Sequence, residues 1–158
     1  MSQRCPLCGT ALIDIRGHGP AEVCNACFRV SYRFLAHLES LSSPAALIAR
    51  DHTVVSSNDS MRKMFDDNGR DPVGLRIGEV LDCKHAVSHG LCGETFACLQ
   101  CGLRRLIALC GVTGERLAEI PTRLLQQSGD NATYSVSAER AGAAIILRVG
   151  MAKTRSLS

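Results

Sequence analysis

Eight of the nine cysteines in this 158-residue sequence fall into two groups whose spacing suits metal binding. The first group consists of two C-x2-C pairs with fifteen residues between them. Two thiolates on one tight turn can point at the same cation, and two such turns complete the tetrahedron that structural zinc prefers. We therefore predict a closed zinc site formed by Cys5, Cys8, Cys24 and Cys27. Iron could take the same ligands, but no region for an electron-transfer partner is visible.

The second group lies within a Gly- and His-rich stretch and has the spacing C-x8-C-x5-C-x2-C. Four thiolates so close in sequence would repel one another unless they were protonated or bound to a metal, and a metal would also order a long irregular loop. Zinc and a [4Fe–4S] cluster both accept four thiolates. The simpler alternative is a set of small buried cysteines at the base of the following helix. We predict a second metal site formed by Cys83, Cys92, Cys98 and Cys101.

The remaining candidates for chemistry are weaker. His85 and His89 lie in the same loop, and we interpret both as surface histidines rather than ligands. Cys110 follows an apolar helix face, which predicts a buried structural thiol. A zinc deaminase would need H-x-E and P-C-x2-C; His37-Leu38-Glu39 resembles the first element, but no Pro precedes Cys98. No nucleophile–base pair or carboxylate pair is apparent, so we do not expect an enzyme.

Composition limits the classes of protein that the chain can belong to. Apolar residues make up 46% of it, which is enough for a core, and the formal net charge is +3 with no Lys/Arg run. DNA binding is therefore possible but not favoured. We expect no signal peptide and no membrane-spanning segment, since no apolar stretch approaches the necessary length. A cytoplasmic location follows, where cysteines serve as metal ligands more often than as disulfides.

Hydrophobic periodicity predicts the elements that must position these cysteines. Apolar residues at three- and four-residue steps indicate a helix over 28–41, ended by Ser43-Pro44. Two short segments around a turn at Arg50-Asp51-His52 indicate a pair of strands, alternation after residue 115 indicates three more, and Asn58 is expected to begin a short helix. The predicted strands are 45–49, 53–56, 116–125, 133–139 and 143–149, and the other predicted helices are 58–66 and 103–109. We divide the chain into a zinc ribbon (1–30), a linker helix (31–44), a larger domain (45–152) and a tail (153–158).

The larger segment resembles a PAS domain. An apolar strand, a polar turn and a second strand lead from Ala46 to Asn58, and Pro72-Val73-Gly74-Leu75 follows. Segment 78–105 is similar to a cysteine-bearing PAS subgroup with the pattern G-x-x-L-x-C-x-H-A and then C-G-x4-C-x2-C. The matching residues are Gly78, Leu81, Cys83, His85, Ala86, Cys92, Gly93, Cys98 and Cys101, with Arg104 or Arg105 after them.

The resemblance implies an α+β fold: a zinc ribbon followed by a five-stranded antiparallel sheet with helices on one face. It also implies a non-catalytic signalling or sensing role. No kinase or cyclase segment follows the sheet, so we expect output through a signalling protein partner, or through self-association of the 28–41 helix. The alternatives are an iron–sulfur redox or oxygen sensor and a zinc-ribbon transcription regulator that binds DNA.

Overall fold

The structure is a computed structural model that describes residues 4–5, 25–65, 71–88, 92 and 96–151; for residues 25–32, 87–88 and 151 it describes the backbone alone. Five strands and five α-helices make up most of this part of the chain. In chain order the elements are α1 (Asn25–Ser40), β1 (Ala45–Ile48), β2 (Val54–Ser57), α2 (Asp59–Met64), α3 (Ile77–Val80), α4 (Lys84–Ser88), a 3-10 helix (Phe96–Gln100), α5 (Gly102–Thr113), β3 (Leu117–Leu125), β4 (Asn131–Ala141) and β5 (Ala144–Met151).

The five strands form one antiparallel sheet in the order β2-β1-β5-β4-β3. The first strand is therefore an interior strand, because β1 pairs with both the edge strand β2 and the last strand, β5, which lies in the middle of the sheet. All five predicted strands are confirmed, with ends that differ by one or two residues. The predicted 58–66 and 103–109 helices are observed as α2 and the longer α5. Segment 70–102 has little hydrophobic periodicity, and the structure places α3, α4 and the 3-10 helix there. These helices are too short to show a helical repeat.

The main core lies between one face of the sheet and helices α2, α3 and α5. Strands β1 and β5 contribute four side chains to this face: Ala46, Ile48, Leu147 and Val149. They share the face because Ala46 pairs with Leu147 and Ile48 pairs with Ile145. Met61 of α2, Ile77 of α3 and Leu106 of α5 pack against them. This layer matches the predicted arrangement of sheet and helices.

A second apolar layer covers the opposite face, where α1, the predicted linker helix, packs in addition to the helices of the larger domain. Ala45, Leu47 and Ile146 point to this face, and Leu38 of α1 packs on them with Phe34 and Leu41 beside it. Every residue of β1 is buried for this reason. The second half of the apolar stripe of the predicted 28–41 helix therefore packs on the sheet of the same chain. Helix α1 begins at Asn25, inside the segment assigned to the ribbon, since its first turn precedes the first apolar position.

Asn58 joins α1, β1 and α2 through its buried side chain. Its Oδ1 accepts hydrogen bonds from the amides of Ala45 and Met61, at 3.1 and 2.9 Å. Its Nδ2 donates to the carbonyl oxygens of Leu38, Leu41 and Ser43, at 3.2, 3.2 and 2.9 Å. The predicted helix-starting Asn is confirmed as the N-cap of α2, and the same amide group fixes the end of α1 against the sheet.

No α-helix in the described part of the chain is long and apolar enough to cross a membrane. The tail at 153–158 and residues 6–24 of the predicted ribbon lie outside the described residues.

Candidate functional site

The backbone brings the second cysteine group together from three separate segments. Cys83 follows α3, and its amide donates a 2.8 Å hydrogen bond to the carbonyl of Gly78. It also forms an isolated bridge with Gln126, just beyond the end of β3. Cys98 lies in the 3-10 helix, and Cys101 is the N-cap residue of α5. The amide of Cys101 donates to the carbonyl of Cys98 at 3.2 Å, which gives this C-x2-C pair a tight turn.

Cys92 is held against α3 by two contacts. The Nη1 of Arg76 donates a 2.7 Å hydrogen bond to the Cys92 carbonyl. The Cys92 side chain lies directly over Gly78: a Cβ atom at that position would stand 2.7 Å from the Sγ of Cys92 and 3.0 Å from its Cβ. The residue at position 78 therefore has to be glycine for Cys92 to occupy this place.

All four cysteines line one cavity of about 240 Å³. The cavity lies between α3, the 3-10 helix and the neighbouring ends of β3 and β4, with Arg123 and Asn131 contributing from the strands. Cys98 is buried, whereas Cys83, Cys92 and Cys101 are partly exposed. His85 also lines the cavity, so it lies closer to the cysteines than the predicted surface position implied. The residue is engaged in an interaction and is not free.

The electrostatics of the cavity keep an unliganded Cys92 protonated. Burial, with smaller contributions from the nearby Cys98, Cys101 and Cys83, raises the pKa of its thiol to about 12, against a hydrogen bond from the backbone of Gly78 that lowers it. A thiol with such a pKa is neutral at pH 7. A thiolate at this position needs a cation, and a metal ion that displaces the proton would supply one.

His52 lies behind the cysteines in a strained backbone position. It ends the tight β1–β2 turn with a φ of 70°, a left-handed conformation that His adopts more readily than most residues. Its Nδ1 is 3.8 Å from the Sγ of Cys92. Burial lowers the pKa of this histidine, and the positive charges of Arg76 and Arg104 lower it further. Its imidazole is therefore neutral at pH 7.

The side chains as placed do not close a coordination sphere. In the described ranges, no group of three or more Cys, His, Asp or Glu side chains is arranged to hold a metal ion. The donor set nevertheless fits a thiophilic metal, because four sulfurs surround one cavity and a backbone amide already points at one of them.

The first cysteine group lies largely outside the described residues. Cys8 and Cys24 are not described, and for Cys27 only the backbone, in the first turn of α1, is described. Cys5 is buried in the second apolar layer beside Leu38 and Ala45. The zinc site of this group stays a prediction. Cys110 is buried in α5 as predicted, and burial raises the pKa of its thiol.

Sequence reasoning found the four cysteines but missed two residues that position them. Gly78 belongs to the G-x-x-L-x-C pattern, and that pattern alone did not show that the glycine leaves room for Cys92. His52 is forty positions away from Cys92, and no spacing rule connects them. His89 lies outside the described residues.

Comparison with solved structures identifies the fold. The LOV protein from Rhodobacter sphaeroides is 11% identical, and the match covers 82% of this chain and 71% of that one with a TM-score of 0.51. The PAS domain of an HTR-like protein from Haloarcula marismortui is 13% identical, with 79% and 99% covered and a TM-score of 0.46. No family model and no curated protein matches the chain. Together with the strand order, the first of these structural matches shows that the chain has a PAS-like fold.

Proposed function

We propose that this protein is a non-catalytic cytoplasmic sensory module in which Cys83, Cys92, Cys98 and Cys101 hold a metal. The observation that carries the proposal is the gathering of these four thiols, from three segments, around one cavity. The PAS-like fold supports a sensory role, since comparable domains act in signalling. Zinc bound there would tie α3, the 3-10 helix and α5 together. A second zinc at Cys5, Cys8, Cys24 and Cys27 completes the proposal.

An iron–sulfur cluster is the second candidate for the same cavity. A single zinc with Zn–S bonds of about 2.3 Å requires its four sulfurs to stand about 3.8 Å apart. The described side chains do not meet such an arrangement. A [4Fe–4S] cluster spaces its cysteine sulfurs more widely, because four iron and four sulfide ions lie between them. A cavity of about 240 Å³ suits that larger group. The protein would then respond to redox state or oxygen.

Metal content and an absorption spectrum of anaerobically purified full-length protein test both candidates. Cys98→Ser should lower the metal content by about one zinc, or about one cluster, per chain, because a missing thiolate opens the site. A brown colour that is lost in Cys98→Ser identifies the cluster, and a colourless protein that contains zinc identifies the single ion.

Cys110→Ser is the matched control. It replaces a buried cysteine of α5 that does not line the cavity, so its metal content should equal that of the unmodified chain. The Cys8→Ser variant separates the two sites, since it should lose only the N-terminal metal. If Cys98→Ser and Cys110→Ser retained the same metal content, the proposed site would be wrong.

A further inference from the structure

A second cavity lies at one end of the sheet. It has a volume of about 520 Å³ and opens to solvent between the β1–β2 turn, the C-terminal half of α5 and the β4–β5 turn. It shares no lining residue with the cysteine cavity among the residues described. It is therefore a separate cavity, although His52, one of its lining residues, has its Nδ1 3.8 Å from the Sγ of Cys92.

Three arginines from three elements converge on this cavity. Arg50 comes from the β1–β2 turn, Arg104 from α5 and Arg140 from the end of β4. The ion pairs found within the described ranges involve Arg62 and Lys63, so none of these three guanidinium groups has a described carboxylate within 4.0 Å. Guanidinium groups brought together without a counter-charge repel one another, and an anion between them removes that repulsion.

The nearby acidic residues are not part of the cavity wall. Asp51 and Glu139 are the sequence neighbours of Arg50 and Arg140, and neither lines the cavity. The Oδ1 of Asp51 accepts a hydrogen bond from the amide of Thr53 at 3.0 Å. The Nε of Arg140 donates to the Gly142 carbonyl at 3.3 Å, which orients the guanidinium group and leaves its Nη atoms for a ligand.

Apart from His52, the rest of the wall is apolar and is kept open by small residues. Ile107, Ile145 and the largely exposed Val112 line it. Gly111 lies within α5, where a Cβ would stand 3.7 Å from the Cδ1 of Ile145, an ordinary contact distance. Alanine would fit there and would favour the helix. Glycine at this position leaves the space between α5 and β5 empty.

We propose that this cavity binds a small organic anion, with its carboxylate or phosphate group on Arg104 and Arg140 and its apolar part against Ile107, Val112 and Ile145. Arginine suits both groups, because its planar fork donates two parallel hydrogen bonds to two oxygens. Arg50, on the exposed β1–β2 turn, adds a third positive charge to the wall formed by Arg104 and Arg140. The combination of cationic and apolar walls selects an anion with a hydrocarbon body over a bare inorganic ion.

The test uses the full-length, metal-loaded protein with hexanoate and hexyl phosphate as probes and hexanol as the uncharged match. Amide chemical shifts measured by NMR should change in the second half of α5 and in the β4–β5 turn with at least one anion, and far less with hexanol. The Arg104→Gln/Arg140→Gln variant should weaken that binding about tenfold or more, because each lost charged hydrogen bond weakens binding by roughly that factor. Gly111→Leu should fill the cavity and abolish binding.

Arg105→Gln is the control, since Arg105 is an exposed neighbour on the same helix that does not line the cavity. It should bind the probes as the unmodified chain does. The proposal fails if neither anion causes shifts at millimolar concentration, if hexanol binds equally well, or if the double variant binds like Arg105→Gln. Metal content is measured on every variant, so that a loss of the cysteine site is recognised separately.

Discussion

At the scale of single residues, the cysteine cavity depends on what surrounds the sulfurs as much as on the sulfurs themselves. Cys92 reaches the cavity because Gly78 has no side chain and because Arg76 holds the Cys92 carbonyl. Neither residue is a candidate metal ligand, and their roles appear only when α3 is placed against the segment that carries Cys92.

Gly78→Ala should displace Cys92 and destabilise the fold. The new methyl group would stand 2.7 Å from the Cys92 sulfur, so either the helix or the sulfur has to move. We expect a loss of about 1–3 kcal/mol in the free energy of unfolding, as for other overpacked sites, together with reduced metal content. Denaturant unfolding and metal analysis measure the two effects.

Gly102→Ala is the matched control for this substitution. Its Cβ would stand 3.8 Å from the Cγ2 of Thr122, an ordinary contact, and alanine favours the first turn of α5. The stability should stay unchanged or rise slightly. If Gly78→Ala proved as harmless as Gly102→Ala, the close packing of Cys92 on α3 would be wrong.

At the scale of elements, the sequence predicts the strands better than the layers. Alternation of apolar and polar residues located β3, β4 and β5 within two residues, and two short runs around a polar turn located β1 and β2. The same periodicity identified the apolar stripe of α1 but not its partner, because a stripe on a helix has the same spacing whether it packs on a sheet or on a second copy. The sequence of β1 has no polar face, and a second apolar layer could have been predicted from this feature.

Leu38→Ala tests whether α1 belongs to the fold of the single chain. Leu38 is 1% exposed in the second apolar layer, so its truncation should lower the free energy of unfolding by about 2–5 kcal/mol, the usual range for a buried leucine. Leu109→Ala, on the half-exposed side of α5, should have a much smaller effect. The measurement is urea unfolding at two protein concentrations.

Equal effects of the two leucine substitutions would show that α1 does not pack on the sheet in solution. A loss in Leu38→Ala that depends on protein concentration would instead support the predicted self-association of the helix. Phe34, Leu38 and Leu41 contact the sheet in the present structure, so we expect a loss that is independent of concentration.

At the scale of the whole molecule, the cysteine spacing predicted which residues meet but not the shape in which they meet. Cys83, Cys92, Cys98 and Cys101 share a cavity as the pattern indicated. The arginine cavity was not predicted, because Arg50, Arg104 and Arg140 are dispersed along the chain and approach one another only when the two sheet turns close beside α5. The sequence shows how many arginines the chain has, whereas the fold determines which of them lie close together.

His52 lies between the two cavities. It is one of the residues that line the arginine cavity, and its Nδ1 stands 3.8 Å from the sulfur of Cys92, which lines the other cavity. Its carbonyl also accepts a 2.9 Å hydrogen bond from the amide of Ile77, at the start of α3. We therefore expect groups bound in the two cavities to act on the same turn.

A coupling between the two sites through His52 can be measured from either ligand, because two ligands change each other's affinity by the same factor. If removing the metal changes the affinity for hexanoate by some factor, saturating hexanoate must change the affinity for the metal by that same factor. We expect a factor of about five or more, the lower end of typical couplings between sites. Titration calorimetry of the metal-loaded and metal-free protein measures it, and His52→Ala should reduce it toward unity. Equal affinities in the two states would mean that His52, although it lies between the anion cavity and Cys92, does not couple the two sites.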